Sequence, residues 1–155
     1  MTGNHLFDTK QMFHHACAFA SCASFCRKNG HHIDYVNPEI VNSAFACEIF
    51  LKTLLFYNEI GYGKKHDLEA LYKMLPDHYK ETIEAELLKR YGKMQNAFGI
   101  SYLNNISKAF EVWRYSFEKK NLQIEIGFLF TFRDLLRDIC CKELYEMTWD
   151  EFKER

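Results

Sequence analysis

A chain of 155 residues has the size of one ordinary domain and can bury a core of its own. Hydrophobic residues make up 48% and aromatics 16%, including 14 Phe and 9 Tyr, which excludes a disordered composition. A formal net charge of -1 excludes a basic nucleic-acid coat or an acidic tail, while leaving room for a local basic patch.

The first helix is predicted over residues 9–28, with Asp8 as its N-cap and Gly30 as its stop. It is rich in Ala, Ser and Cys, with Phe13, Phe19 and Phe25 interleaved, and small residues allow close helix packing. Asn37-Pro38-Glu39 reads as the next helix start, with a cap, a Pro in the first turn and an acid at the positive dipole end. That helix runs to Ile60 before Gly61. It is apolar on most sides, which predicts a central place in the fold.

A turn at residues 61–65 leads to a short helix from Asp67 to Leu75, stopped by Pro76. Asp77 caps a more polar helix that reaches Tyr91. After a loop, Ser101 caps a helix predicted over 102–119, whose apolar stripe is Leu103, Ile106, Phe110, Trp113 and Phe117. The last long helix is predicted over 123–143, and Thr148-Trp149-Asp150-Glu151 has the pattern of a capping box for a short terminal helix.

No segment sustains period-2 alternation, and no strand–helix alternation appears. The expected fold is a single all-α domain over 1–155: an up-and-down antiparallel bundle of four long helices with short inserted helices. No run approaches about 20 apolar residues, so no membrane span is expected. The stretch from Met12 to Cys26 lacks a basic leader and is not read as a secretory signal. The expected location is cytoplasmic. The six cysteines, Cys17, Cys22, Cys26, Cys47, Cys140 and Cys141, read as small buried thiols in a reducing compartment.

Phosphate-binding glycine loops are missing, since Gly61-Tyr62-Gly63 lacks a following glycine and sits between helices. Cys22 and Cys26 share a helix face, with His31 and His32 just beyond, and a metal or redox module on these residues is one functional alternative. Structural zinc sites use shorter Cys spacings in tight loops, so no metal and no cofactor is expected.

Glu48 falls in the apolar seam of the second helix, where a carboxylate needs a partner or a proton. Lys52 is four residues on and is placed toward the edge. Arg114, beside the stripe formed by Phe110 and Phe117, is the natural cross-bundle partner. It is expected to be at least half buried against Glu48, with Glu111 or Glu118 as local alternatives. Two roles stay open for it: a register-fixing buried ion pair, or a ligand-binding arginine.

Three stretches then resemble one family. Residues Glu48 to Leu55 look like the acidic "xLKxLL" helix of HEPN domains (higher eukaryotes and prokaryotes nucleotide-binding). Residues Lys65 to Tyr72 are similar to the "HDLxxLY" segment that follows it, and Ala109 to Glu118 resembles the arginine-bearing stretch before the final helix. The match covers residues 38–140 in the right order. The resemblance implies a helical bundle that pairs as a homodimer and binds nucleotide or RNA. It also implies a prokaryotic toxin–antitoxin or defence setting, with a partner protein encoded nearby.

Many members of that family are metal-independent ribonucleases with an Arg and a His separated by four to six residues. Arg114 matches the Arg, whereas Lys119, Lys120 and Asn121 stand beyond it and no His follows His78. Cleavage by 2'-hydroxyl attack needs proton transfer near neutral pH and a cation on the phosphate. The preferred expectation is therefore a nucleotide- or RNA-binding or accessory module without the standard histidine. The enzymatic alternative is a divergent ribonuclease using Arg114 with Tyr115, Lys119 or His66. The accompanying cluster is Glu48, Lys52, His66, Glu111 and Glu118.

Overall fold

The computed structural model describes residues 3–29, 35–91, 100–118 and 122–155, and every regular element among them is helical. The helices are α1 (Gly3–Asn29), α2 (Val36–Tyr57), α3 (Leu68–Lys73), α4 (Asp77–Tyr91), α5 (Leu103–Ile106), α6 (Ala109–Arg114), α7 (Ile126–Tyr145) and α8 (Trp149–Lys153). Single 3-10 turns lie at Ile100–Tyr102 and Ser116–Glu118.

α2 is the hub, packed against α1, α7, α6 and α3. Its composition explains this, because Ile40, Ala44, Cys47, Phe50, Leu51, Leu54 and Leu55 are buried around most of its circumference. By length and composition α2 is apolar enough to cross a membrane, but most of that stretch is buried inside the fold, as in a core helix. α1 contributes Phe13, Ala16, Ala20 and Ala23, and the small side chains let it approach α2 closely. α7 packs on α2 and buries Phe128, Leu129, Phe132, Leu136 and Cys140. Two buried thiols tie these helices together: Cys47 Sγ lies 4.0 Å from the Leu129 carbonyl oxygen, and Cys140 Sγ lies 3.5 Å from that of Phe50.

Several element boundaries differ from expectation. α1 begins at Gly3, so Asp8 is an exposed residue within the helix and not its cap. The expected stop, Gly30, lies outside the described residues. α2 begins at Val36, with Tyr35 in the cap position, and Asn37 instead donates from Nδ2 to Ser116 Oγ at 2.8 Å. α2 ends at Tyr57, where Asn58 Nδ2 turns back to the Leu54 carbonyl oxygen at 2.7 Å and Glu59 adopts a positive φ of 58°. The last long helix is shifted to 126–145. Asp67 does cap α3 through its side chain, and Thr148 with Glu151 forms the expected reciprocal capping box of α8.

The largest difference is the helix expected over 102–119, which is broken into the Ile100–Tyr102 turn, α5, α6 and the Ser116–Glu118 turn. Ser101 lies in the first turn and caps no α-helix. The cause is local competition for hydrogen bonds. Ser107 Oγ donates to Asp67 Oδ1 at 2.6 Å, Asn104 Nδ2 reaches Glu69 Oε2 at 3.1 Å, and Asn105 Oδ1 accepts from the Glu125 backbone N–H at 2.7 Å. Side chains committed to such bonds draw the segment toward neighbouring loops and weaken the case for an unbroken helix. Leu103 and Ile106 are buried as the stripe requires, but Phe117 is 80% exposed.

Candidate functional site

Glu48 is only 2% exposed, and its partners are not the expected ones. Lys52 Nζ reaches Glu48 Oε1 at 2.7 Å, and His66 Nδ1 lies 2.9 Å from the same oxygen. Lys52 is thus drawn inward along its own helix, with its side chain 14% exposed and its ammonium 5.3 Å from the Tyr62 ring centroid. Glu48 Oε2 is buried and has no hydrogen-bond partner among the described residues. A bare carboxylate oxygen in the interior is costly, so the two cationic or cation-forming donors on its neighbour carry the compensation.

His66 reaches Glu48 because the chain folds back after α2. The turn passes through Gly63, whose φ of 58° suits glycine, and exposes Lys64 and Lys65. The backbone just beyond His66 is clamped. Asp67 Oδ1 accepts from the Ala70 N–H at 2.8 Å and from Ser107 Oγ at 2.6 Å, while Ser107 Oγ accepts from the Glu69 N–H at 2.9 Å. The Leu68 N–H donates to the Ser107 carbonyl oxygen at 3.0 Å. His66 itself keeps 52% of its side chain exposed. Its Nδ1 is therefore held from inside, and its far edge faces outward.

Arg114 behaves differently. It is exposed, and among the described residues it makes no ion pair, so the expected burial against Glu48 does not occur. Its guanidinium carbon lies 4.9 Å from the Phe110 ring centroid and 4.8 Å from that of Tyr115. Phe110 in turn stacks on Phe45 of α2 at 4.6 Å, which anchors the base of this face. Tyr115 is 44% exposed, next to the outlying Phe117. Glu111 and Glu118 are exposed and form no ion pair with Arg114. The helix ends at Arg114, and Tyr115 leaves helical geometry with φ -117° and ψ 35°. Lys119 lies outside the described residues.

The structure also reveals a charged group that sequence reasoning missed. Arg133 is 5% exposed, with Nη1 3.0 Å from Ser43 Oγ and Nη2 2.8 Å from Asp134 Oδ1. One turn on, Arg137 bonds Asp134 at 3.3 Å and Asp138 at 3.2 Å and lies 4.6 Å from the Trp149 ring centroid. Burial pushes the Asp138 carboxyl up, against the opposing pull of Arg137 and Arg90. A cleft of about 560 Å³ lies here, with Arg90, Arg137, Asp138 and Trp149 on its walls, but its charges are largely spent on one another. The signal was present: Arg133-Asp134 and Arg137-Asp138 are doublets four residues apart within an otherwise apolar run, so both fall on one helix face.

The cysteines divide. Cys47, Cys140 and Cys141 are buried as expected; Cys17 and Cys26 are only partly so, and Cys22 is exposed. Burial pushes the Cys17 thiol up to about 12. Among the described residues no group of three or more His, Cys, Asp or Glu side chains is arranged to hold a metal ion, and His31 and His32 lie outside them. Comparison with protein-family models, curated proteins and solved structures returns no match for this chain.

Proposed function

We propose that this chain is a HEPN-like helical module, its long helices running up and down, that contacts RNA or a nucleotide through the face formed by Arg114, Phe110, Tyr115 and Phe117. The observation that carries this reading is the exposed Arg114 guanidinium, stacked against two aromatic rings and spending its charge on no carboxylate among the described residues. A planar cation of this kind offers paired donors to a phosphate, and the exposed rings beside it offer stacking area to a base. The module acts as a homodimer in a prokaryotic toxin–antitoxin or defence setting, with a partner encoded nearby. Phe7 and Phe25, 61% and 63% exposed on α1, supply apolar surface for pairing.

The test is a titration of fluorescein-labelled single-stranded RNA followed by anisotropy. Wild-type protein binds, and Phe117→Ala weakens binding by about 1–3 kcal/mol, the worth of one stacked base. Absence of binding at low salt overturns the proposal. A second reading, a metal-independent ribonuclease using Arg114 with Tyr115, Lys119 or His66, is favoured by the same open guanidinium, which is free to take up charge developing on a phosphate. It predicts RNA cleavage in the presence of a chelator that is abolished by Arg114→Ala.

A further inference from the structure

α1 and α7 pack against one another and run in opposite directions. His14 Nε2 of α1 lies 2.9 Å from the Tyr145 hydroxyl of α7. Toward the other end of α1, the Arg27 guanidinium carbon lies 5.1 Å from the Phe130 ring centroid. Two thiols stand between these contacts, one turn from the first. Cys17 follows His14 by three residues and Cys141 precedes Tyr145 by four, so the antiparallel register brings them level.

The junction around them fixes where each thiol lies. α8 closes it, with the Phe152 ring centroid 5.7 Å from that of Phe13 and 6.0 Å from that of His14. Cys141 Sγ turns toward this side, 3.7 Å from the carbonyl oxygen of Thr148, the cap of α8. Its neighbour Cys140 turns instead to α2, with Sγ 3.5 Å from the Phe50 carbonyl oxygen. The Cys17 thiol feels the charges of Arg137 and Cys141, which are one turn apart on α7, so it lies against that stretch of the helix. Cys17 is partly exposed and Cys141 is buried, so a small oxidant meets Cys17 first. A cysteine that only fills space needs no second thiol beside it. Here two helices each bring one to the same level.

We propose that Cys17 and Cys141 form a reversible disulfide, a redox latch that fastens α1 to α7. The proposal is independent of the RNA-binding reading. The oxidant is a small-molecule disulfide. The Cys17 thiolate attacks one of its sulfurs, a mixed disulfide forms, and the first small thiolate leaves. The Cys141 thiolate then attacks Cys17 Sγ and expels the second. Two protein thiols are oxidised, one small disulfide is reduced to two thiols, and the two cysteine protons end on the departing thiolates. Burial pushes both protein thiols up, Cys17 to about 12, so exchange is slow near neutrality and the latch answers lasting oxidation. Once closed, it joins residues far apart in sequence and restricts the unfolded chain, which makes the oxidised form the more stable one.

The experiment uses the full chain with Cys22→Ser and Cys26→Ser, which removes coupling through the outer face of α1. It is incubated with oxidised glutathione for about a day at about pH 8 and mapped by mass spectrometry without reduction. Cys17 should be joined to Cys141 within one chain, with the intact mass lower by about 2 Da. Tm should rise by about 5–15 °C and fall back when dithiothreitol is added. Cys17→Ser should show neither the link nor the shift.

The decisive reading is made on a chain whose Cys17 and Cys141 are both intact, so a variant that fails to fold cannot blur it. No link after that exposure overturns the latch, as does Cys17 joined to Cys140 or a link that forms only in urea. An oxidised chain whose Tm is unchanged or lower overturns it too, and so does a Tm shift that survives Cys17→Ser.

Discussion

Truncating Arg114 to Ala separates a structural arginine from a ligand-binding one. A buried Arg–Glu pair broken at one end costs on the order of 3–5 kcal/mol, because the remaining carboxylate is stranded. The structure predicts far less. Glu48 is already held by Lys52 and His66, so no acid loses its partner. What is removed is contact with the rings of Phe110 and Tyr115 on an exposed surface. Each such contact is worth about 0.5–1 kcal/mol, giving an upper bound of about 2 kcal/mol. Urea denaturation measures this directly. On RNA, loss of one phosphate contact should lower the slope of log affinity against log salt by about 0.7 for a single strand. Arg114→Lys should restore most of that slope but not the stacking. A destabilisation above 3 kcal/mol would refute the account of Arg114 as a surface group, and an unchanged affinity and salt slope would refute its role in binding.

Phe13→Ala should be the more damaging change, at about 3–5 kcal/mol, because its ring is fully buried against Phe50, Tyr145 and Phe152; a loss under 1 kcal/mol in the same denaturation assay would contradict that packing. Burial raises the Glu39 carboxyl above its ordinary value, with Arg27 and Arg133 opposing. A raised carboxyl contributes stability below its unfolded value and loses it as pH rises through the folded one. Glu39→Gln should therefore gain in Tm relative to wild type between pH 4 and pH 7, and a relative gain on going to acid would reverse the sign. Light scattering should give twice the 18.5 kDa chain mass at micromolar concentration, falling to one chain when Phe7 and Phe25 are both replaced by Glu. A monomeric wild type would end the dimer proposal.

Helix type and the identity of the hub were legible because they rest on periodicity and composition. α2 is apolar nearly all round, and such a helix can only be satisfied at the centre. The Thr148 capping box was legible for a similar reason, since both of its bonds join residues three apart. The break in 102–119 was not. The apolar stripe holds as far as Trp113 and fails at Phe117, but Asn104, Asn105 and Ser107 form their bonds with Glu69, Glu125 and Asp67, which no local pattern reveals. At the candidate site, sequence pattern grouped Glu48, Lys52 and His66 with Glu111 and Glu118 and gave Glu48 the wrong partner; the last two acids stand apart in solvent. Arg133 was overlooked because an arginine in an apolar run reads as an edge residue until a buried Ser43 is found opposite it.

The exchange of partners at Glu48 also accounts for the exposure of Arg114. A carboxylate in an apolar seam recruits the donor with the least chain to order. Lys52, one turn away on the same helix, needs only side-chain rotamers to be fixed. His66 arrives with a turn that α3 and Ser107 already hold in place, so it too adds little ordering cost. Arg114 would have to cross from a separate segment. With Lys52 already matching the single charge of Glu48, a guanidinium would bring a second full positive charge into the seam with no second carboxylate to meet it. The nearby acids of its own segment, Glu111 and Glu118, stay in solvent and offer nothing to draw the guanidinium inward. Stacking on Phe110 and Tyr115 is what remains to it, and that leaves the charge facing out. The satisfied acid inside and the unsatisfied arginine outside therefore follow from one arrangement. Glu48→Ala should leave the exposure of Arg114 to solvent unchanged, as read by the reactivity of its guanidinium toward phenylglyoxal. An Arg114 protected in the wild type and made reactive in that variant would show that Glu48 holds it after all.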